Sequence, residues 1–368
     1  MNQQSSCRRT FGYRDFDSNV LASSYPRQCP VNGCLAELSS IPSGRNSFPY
    51  CADHGLRLHQ NTFVYFNGPD KPQVDKARLR NFIYAPEFVA RHVLDSQNKA
   101  ESHRLGYEMS EDALSWNVFV AFLIANNLQS LVTWLTGQIV KDHVELYLWG
   151  SSVDIENMKS SPFAPMNEVR KTLEPDIKRF PTEPDIMLII PGKLIVCIEA
   201  KFASGNPVAV SDLTIHGEKP KSTGDLVQRY LVSKGSWKNE SKYIVREKIT
   251  EPLHGQLFRN VVFAARMAEL MGPQVEWHVV NLVSATQWQG KKTARGYSFD
   301  DPSERVRSYL AENYRNHFTS HYWETLYTQL VKGNPALFQL EEYFRNKSAH
   351  FRPAFNLVLS SKNQGNSE

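Results

Sequence analysis

Two groups of residues have the types and spacing to do chemistry. The first lies in EPDIMLIIPGKLIVCIEAKF, residues 183–202. Asp185 stands just before one apolar run, and Glu199 and Lys201 stand near the end of the next. Side chains alternate along a strand, so Glu199 and Lys201 share a face about 6.7 Å apart. Two carboxylates meeting at one end of a buried sheet offer hard oxygen ligands for Mg²⁺ or Mn²⁺. A lysine beside them can orient or deprotonate a metal-bound water, or neutralise charge developing on a phosphate. Together these are the parts for metal-assisted hydrolysis of a phosphodiester. The same three residue types also occur at salt-bridged sheet edges, so context has to decide. An earlier Glu174-Pro175-Asp176 imitates the start of the pattern, but no comparable apolar run follows it.

The second group is Cys29, Cys34, Cys51 and His54, spaced C-x4-C-x16-C-x2-H. Three soft thiolates and one imidazole in two close pairs suit tetrahedral Zn²⁺. Gly33 and Gly55 beside the pairs permit tight knuckle turns. Four protein ligands leave no open position, so the site reads as structural. His59 is an alternative to His54, and Cys7 is a remote candidate. Cys197 falls on the Glu199 face by parity and reads as core.

The elements that must position these residues follow from the hydrophobic pattern. Residues 61–67, 144–149 and 275–283 read as strands. Residues 85–101, with Pro86 in the first turn, 110–126, with Ser110 as N-cap, and 128–135 read as helices. Residues 110–126 are apolar nearly all round after Leu114 and should be buried. Residues 29–59 look loop-like, and 150–183 form a polar insertion with four prolines. A helix over 254–272 stops at Gly272-Pro273. Residues 300–348 suggest two or three amphipathic helices. The runs DIMLII and LIVCIEAKF read as a strand pair around Pro191-Gly192-Lys193. Asp185 must share a face with Glu199 to reach the same metal. A two-residue turn would send it to the other face, because a one-residue slip flips every side chain. An odd loop, the three residues Pro191-Gly192-Lys193, is therefore expected. Pro191 has no N–H for the ladder, and Gly192 tolerates positive φ.

Composition bounds the rest. The chain has 368 residues, with 41% hydrophobic and 22% charged, which is ordinary globular usage and long enough for two or three domains. No apolar run reaches about 18 residues, so no membrane span is expected. The first residues lack the apolar stretch of a secretory signal. Five cysteines are odd in number and too few for a disulfide scaffold, which favours a reducing cytoplasm. The net charge of +4 equals that of residues 201–250 alone, with nine Lys/Arg and five Asp/Glu. That window also holds Tyr230, Trp237 and Tyr243, and basic residues among aromatics suit phosphates and stacked bases. A solvated loop has the same composition.

Pro184-Asp185, thirteen intervening residues, and Glu199-Ala200-Lys201 resemble the signature of the PD-(D/E)XK nuclease superfamily. The likeness covers roughly residues 105–285, and the motif itself is short and degenerate. It implies an α/β fold with a restriction-endonuclease-like αβββαβ core. The expected organisation is a zinc knuckle module over 1–70, a nuclease core over 85–290 and a helical C-terminal region over 291–368. The resemblance also implies a Mg²⁺- or Mn²⁺-dependent deoxyribonuclease acting in restriction, phage defence or repair. Asp185 and Glu199 would bind the metal, and Lys201 would position the attacking water. An acid on the first core helix often completes such sites; Glu111 is the best match, with Glu108 and Asp112 as rivals. Polar residues on the helix after the motif match Gln256, Arg259 and Asn260, with Gln256 holding a water or phosphate oxygen and Arg259 a phosphate. DNA is the implied partner, and a homodimer is compatible with double-strand cutting. Two other readings stay open: a non-catalytic nucleic-acid-binding or assembly protein on the same fold, and a nuclease acting on RNA.

Overall fold

The computed structural model describes residues 28–43, 46–59, 62–94, 105–177, 181–202, 205–207, 222–232, 240–250, 252–285, 297–298 and 301–347. Cys7 and Trp237 lie outside them. The chain is mixed α/β and divides into two compact units, Met1–Ala125 with Trp323–Glu368, and Asn126–Tyr322. Among the described residues, no single helix is long and apolar enough to cross a membrane.

The first unit opens with four antiparallel strands in sequential order: β1 (Ser39–Ser43), β2 (Asn46–Cys51), β3 (Leu56–His59) and β4 (Thr62–Tyr65). Three of these replace the loop expected over 29–59. Their small polar residues and prolines hide the strand signal. The pairing shows how the prolines fit: β2 meets β3 only through Tyr50 and Cys51, which leaves Pro49 on an unpaired stretch of that side. Helices α1 (Lys71–Leu79), α2 (Pro86–His92) and α3 (Glu111–Ile124) follow. The Ser110 hydroxyl caps α3 by accepting from the Ala113 N–H at 3.2 Å. Residues Ala113–Phe122 of α3 are all buried, as the all-round apolar pattern requires.

The second unit is organised by a six-stranded sheet. It holds helices α4 (Leu128–Thr136), α5 (Ala164–Leu173), α6 (Thr223–Val227), α7 (Glu240–Tyr243), α8 (Gly255–Met271) and α9 (Ser303–Tyr309). Its strands are β5 (Glu145–Leu148), β6 (Ser151–Ser152), β7 (Ile186–Ile190), β8 (Leu194–Lys201), β10 (Glu276–Val283) and β12 (Phe318–Tyr322). A separate two-stranded ribbon joins β9 (Asn206–Pro207) to β11 (Tyr297–Ser298). The sheet order is β12-β10-β8-β7-β5-β6. β5, β7 and β8 form an antiparallel meander, and β10 and β12 add in parallel beside β8. Helix α5 lies in the stretch expected to be an irregular insertion. Its apolar stripe Met166, Val169 and Leu173 is short, and Pro165 sits in its first turn, where proline is tolerated. Strand β12, FTSHY, falls where only helices were expected; it is too short and polar to stand out.

One face of the sheet carries Tyr147, Met187, Ile189, Ile195, Cys197, Val279 and Phe318. It packs under α5 and α8 through residues such as Met166, Val169, Leu257, Val261 and Ala265. Against the other face, the Leu135 carbonyl of α4 accepts from Thr319 at 3.0 Å and bonds His321 at 2.9 Å. Tyr230 and Tyr243, expected as stacking aromatics, are 0% and 5% exposed and belong to the first of these cores. They cannot stack on bases there. The chain then returns to the first unit with α10 (Trp323–Leu326) and α11 (Phe338–Lys347).

Candidate metal centres

The carboxylate centre is set by the β7–β8 hairpin. Ile190 pairs with Leu194 and Ile186 with Ile198, so the loop is Pro191-Gly192-Lys193. Lys193 N–H closes it onto the Ile190 carbonyl at 2.9 Å, and Gly192 takes φ +69°. One step beyond Ile186, this register brings Asp185 to the level of Glu199. The Asp185 carbonyl accepts from the Trp149 N–H at 3.1 Å, which continues the β5–β7 ladder and fixes its backbone. Its side-chain Oδ2 accepts from the Ala200 N–H at 2.9 Å, across the hairpin.

Glu199 is 2% exposed and Lys201 7% exposed, so both charges sit out of water. Lys201 Nζ donates to Glu199 Oε1 at 2.5 Å and stands 3.9 Å from Asp185 Oδ2. Asn260 on α8 donates to the second oxygen, Glu199 Oε2, at 2.9 Å. Glu199 is thereby held at both oxygens, which fixes its rotamer. Carboxylate oxygens are the donor type that a hard cation takes.

In-register partners in a parallel sheet point to the same side, and Glu199, Asn281 and Ser320 form one such row across β8, β10 and β12. Asn281 Nδ2 donates to Ser320 at 3.3 Å, and its Oδ1 accepts from Asn206 at 2.9 Å. This row is absent from the sequence reading. Asn281 does interrupt the apolar run EWHVVNLV, which is a usable signal. Its neighbours follow only from strand pairing.

The other expected residues fall as follows. Gln256 lies one helical turn before Asn260 on α8 and is half-buried, as is Arg259. Arg259 stands near Tyr230, whose hydroxyl donates to Glu174 Oε1 at 2.6 Å. Glu174, the imitation motif, is buried and also accepts from the Thr182 N–H at 2.7 Å. Asp176 forms a two-point ion pair with Arg229 at 2.6 and 3.0 Å. Both carboxylates are thus used in tying segments together. Glu111 opens α3 in the first unit, with Asp112 beside it in the same turn. Glu108, its other rival, is buried against Lys347. The carboxylate centre described here is built wholly from the second unit. Cys197 is core, as parity suggested, and burial pushes its thiol up.

Comparison with protein-family models, with curated proteins and with solved structures finds no match for this chain.

The second centre is the cluster Cys29, Cys34, Cys51 and His54, whose ligand atoms all lie within 4.8 Å of one another. Cys34 Sγ is 3.9 Å from Cys51 Sγ, and His54 Nδ1 is 3.5 Å from both Cys29 and Cys51 Sγ. A tetrahedron with zinc-like bond lengths requires about 3.8 Å between sulfurs and about 3.6 Å between sulfur and nitrogen. The cluster therefore has the dimensions of a tetrahedral metal site and is compatible with structural zinc. Burial raises the Cys29 and Cys51 thiols, so thiolates there need a cation among them. The knuckle glycines have positive φ, +72° at Gly33 and +59° at Gly55. At Gly55 a Cβ would also stand 2.8 Å from the Phe66 carbonyl oxygen. Arg80 ties the knuckle down, donating to the carbonyls of His54 at 2.7 Å and Gly55 at 3.0 Å. His59, the alternative ligand, is instead stacked on Phe48 at 4.0 Å.

Proposed function

We propose that this protein is a metal-dependent deoxyribonuclease of the PD-(D/E)XK type, with a structural zinc site in its N-terminal module. One observation carries the reading: the three-residue loop brings Asp185, Glu199 and Lys201 together at one end of the central hairpin. The strand plan supports it, since an antiparallel meander, the helix α8 and a parallel β10 follow in the order that the resemblance implies. Asp185 and Glu199 would hold Mg²⁺ or Mn²⁺. When bound, such an ion polarises a phosphate oxygen and lowers the pKa of a coordinated water. Asn260 keeps the Glu199 carboxylate oriented. Lys201, fixed between both carboxylates, donates to the attacking water or to a phosphate oxygen and takes up part of its growing charge. In the zinc site all four ligands come from the protein, which leaves no place for substrate and assigns that metal to folding.

The test is cleavage of supercoiled plasmid, linear duplex, single-stranded DNA and RNA with Mg²⁺, Mn²⁺ or EDTA. Cleavage of DNA that needs the metal and is lost in Asp185→Ala, Glu199→Ala and Lys201→Ala is expected. Full activity in EDTA or in any of those variants overturns the mechanism. Cleavage of RNA alone overturns the substrate assignment.

A further inference from the structure

Three histidines meet where β12 joins the six-stranded sheet. His278 lies on β10, His321 on β12, and His317 at the end of the short turn Glu312–His317 that leads into β12. β12 is an edge strand, paired with β10 over Phe318–Tyr322 and with no other strand among the described residues. We propose that these three rings form an acid-sensitive latch, which holds β12 on β10 at neutral pH and releases it when they take up protons. The inference does not depend on the nuclease reading.

The hydrogen bonds define the neutral rings. Thr319 has one hydroxyl hydrogen and gives it to the Leu135 carbonyl at 3.0 Å. Its oxygen is left to accept, so His278 donates to it from Nε2 at 3.0 Å. The same Leu135 carbonyl can only accept, so His321 donates to it from Nε2 at 2.9 Å. In both rings the proton of the neutral form is therefore on Nε2. His317 bonds the Trp277 backbone, and its Nδ1 is buried without a hydrogen-bond partner among the described residues. An imidazolium carries a proton on each nitrogen, so a charged His317 buries an N–H that meets no acceptor.

The surroundings also oppose charge. His278 is 2% exposed, and its ring centre stands 6.5 Å from that of His317, so two charged rings would repel. His321 packs on Trp134 at 4.4 Å, and His317 packs on Trp277 at 4.9 Å and Tyr314 at 5.0 Å. From α9, Arg307 donates to the Phe318 carbonyl at 3.1 and 3.3 Å and brings a fixed positive charge to the cluster. From β10, Glu276 favours a charged His317, but it is exposed and takes a bond from Gln138 at 3.2 Å. Burial, then His317, His321 and Arg307, push the His278 ring down to about 3, and burial lowers His317 and His321 as well. A histidine whose docked pKa lies below its free value of about 6.5 stabilises the docked strand above that pH and loses this contribution as pH falls below it. Departure of β12 also takes Ser320 from Asn281, the in-register neighbour of Glu199.

Hydrogen exchange of the full chain at pH 7.5 and 5.5, corrected for the intrinsic exchange rate, tests the latch. Each ring kept neutral in the docked state should raise the opening constant of β12 about tenfold between these values, because a free imidazole goes from about one-tenth to about nine-tenths charged. The expected rise exceeds tenfold, the work of more than one ring, while the β7–β8 hairpin keeps its protection. His278→Gln keeps a donor for Thr319 but does not titrate, so it should remove about tenfold of that rise. His321→Gln, at a half-buried position, repeats the comparison if the first variant is already open at pH 7.5. Imidazole resonances read the rings directly, and His278 should stay neutral at pH 5.5 in the docked protein. A rise of tenfold or less, a loss shared by the hairpin, an undiminished rise in both variants, or titration of His278 near 6.5 overturns the latch.

Discussion

The two candidate centres are both small clusters of polar side chains, yet they are built on opposite principles. The Cys29, Cys34, Cys51 and His54 cluster is assembled within one short stretch by tight turns at Gly33 and Gly55. Its donors are soft, they number the four that a tetrahedral site takes, and the four thin strands around it have a small core of their own. The carboxylate centre is assembled by strand pairing within a large apolar sheet, where every residue of β7 and β8 is buried. Its donors are hard, and Lys201 and Asn260 already satisfy Glu199. The first gathers buried thiols whose ionised forms need a cation among them. The second is held by bonds within the hairpin and to α8.

The largest expected effect follows directly. Structural zinc contributes on the order of 10–16 kcal/mol of apparent binding free energy at neutral pH. Metal analysis should find about one Zn²⁺ per chain, as one four-ligand site requires. Its removal by a strong chelator, or by Cys29→Ala or Cys51→Ala, should leave residues 28–66 unprotected in hydrogen exchange. The β7–β8 hairpin should keep its protection. If both regions lose protection together, the contrast between the centres is wrong. Persistent protection of 28–66 in a metal-free chain would remove the structural role of the cluster.

At the carboxylate centre, EDTA should stop cleavage without unfolding, and Mg²⁺ should restore it. Asp185→Asn and Glu199→Gln should each lower cleavage by on the order of 10²–10³-fold or more, the range seen when one preorganised charge-stabilising group is lost. Groups that act on one metal act as a unit, so the double variant should be hardly worse than either single. Additive losses would separate the two carboxylates into different roles.

A smaller effect belongs to Asn260. Asn260→Ala leaves Glu199 Oε2 buried without its donor, at a cost of about 1–3 kcal/mol in stability. Cleavage should fall less than in Glu199→Gln, because the Glu199 carboxylate itself remains. Asn260→Asp sets one carboxylate against another and should be worse than alanine on both counts. A denaturant midpoint for Asn260→Ala equal to wild type would show that the bond seen here contributes nothing net.

The contrast also separates what the sequence makes legible from what it hides. The Cys29, Cys34, Cys51 and His54 cluster is a local pattern, so spacing points to all four, with His59 as the alternative to His54, while the strands between them are missed. Those strands lack alternation because Ser, Pro and Asn carry little side-chain signal. The carboxylate pair is legible because parity along a hairpin is arithmetic on residue numbers. Asn260 is legible as one of a polar stripe on an apolar helix, but its bond to Glu199 is not. The Asn281 and Ser320 row depends on β10 and β12 joining β8 in parallel, and parallel register is set by distant packing rather than by any local turn. Tyr230 and Tyr243 mislead for a related reason: composition around them is basic, while their own rings complete a core formed by α8.

The smallest effect concerns what fixes the register. Ile186, Met187, Leu188, Ile189 and Ile190 are buried on both faces, so sliding β7 by one residue would expose no polar group and bury no new one. Hydrophobic patterning therefore specifies this register weakly, and the loop must specify it. Gly192 is the residue that lets the loop close, with φ +69° and no atom within 4 Å of a Cβ placed on it. Gly192→Ala meets no steric neighbour and should cost only backbone strain, about 1–2 kcal/mol, with cleavage unchanged. Deleting Gly192 instead leaves a two-residue turn, which carries Asp185 to the face opposite Glu199 while β7 stays apolar on both sides. Thermal melts should then show a modest loss for both changes, and cleavage should survive only the substitution. Cleavage that survives the deletion would mean that a bulge restores the pairing of Asp185 with Glu199, and that the loop is not what holds the two carboxylates together.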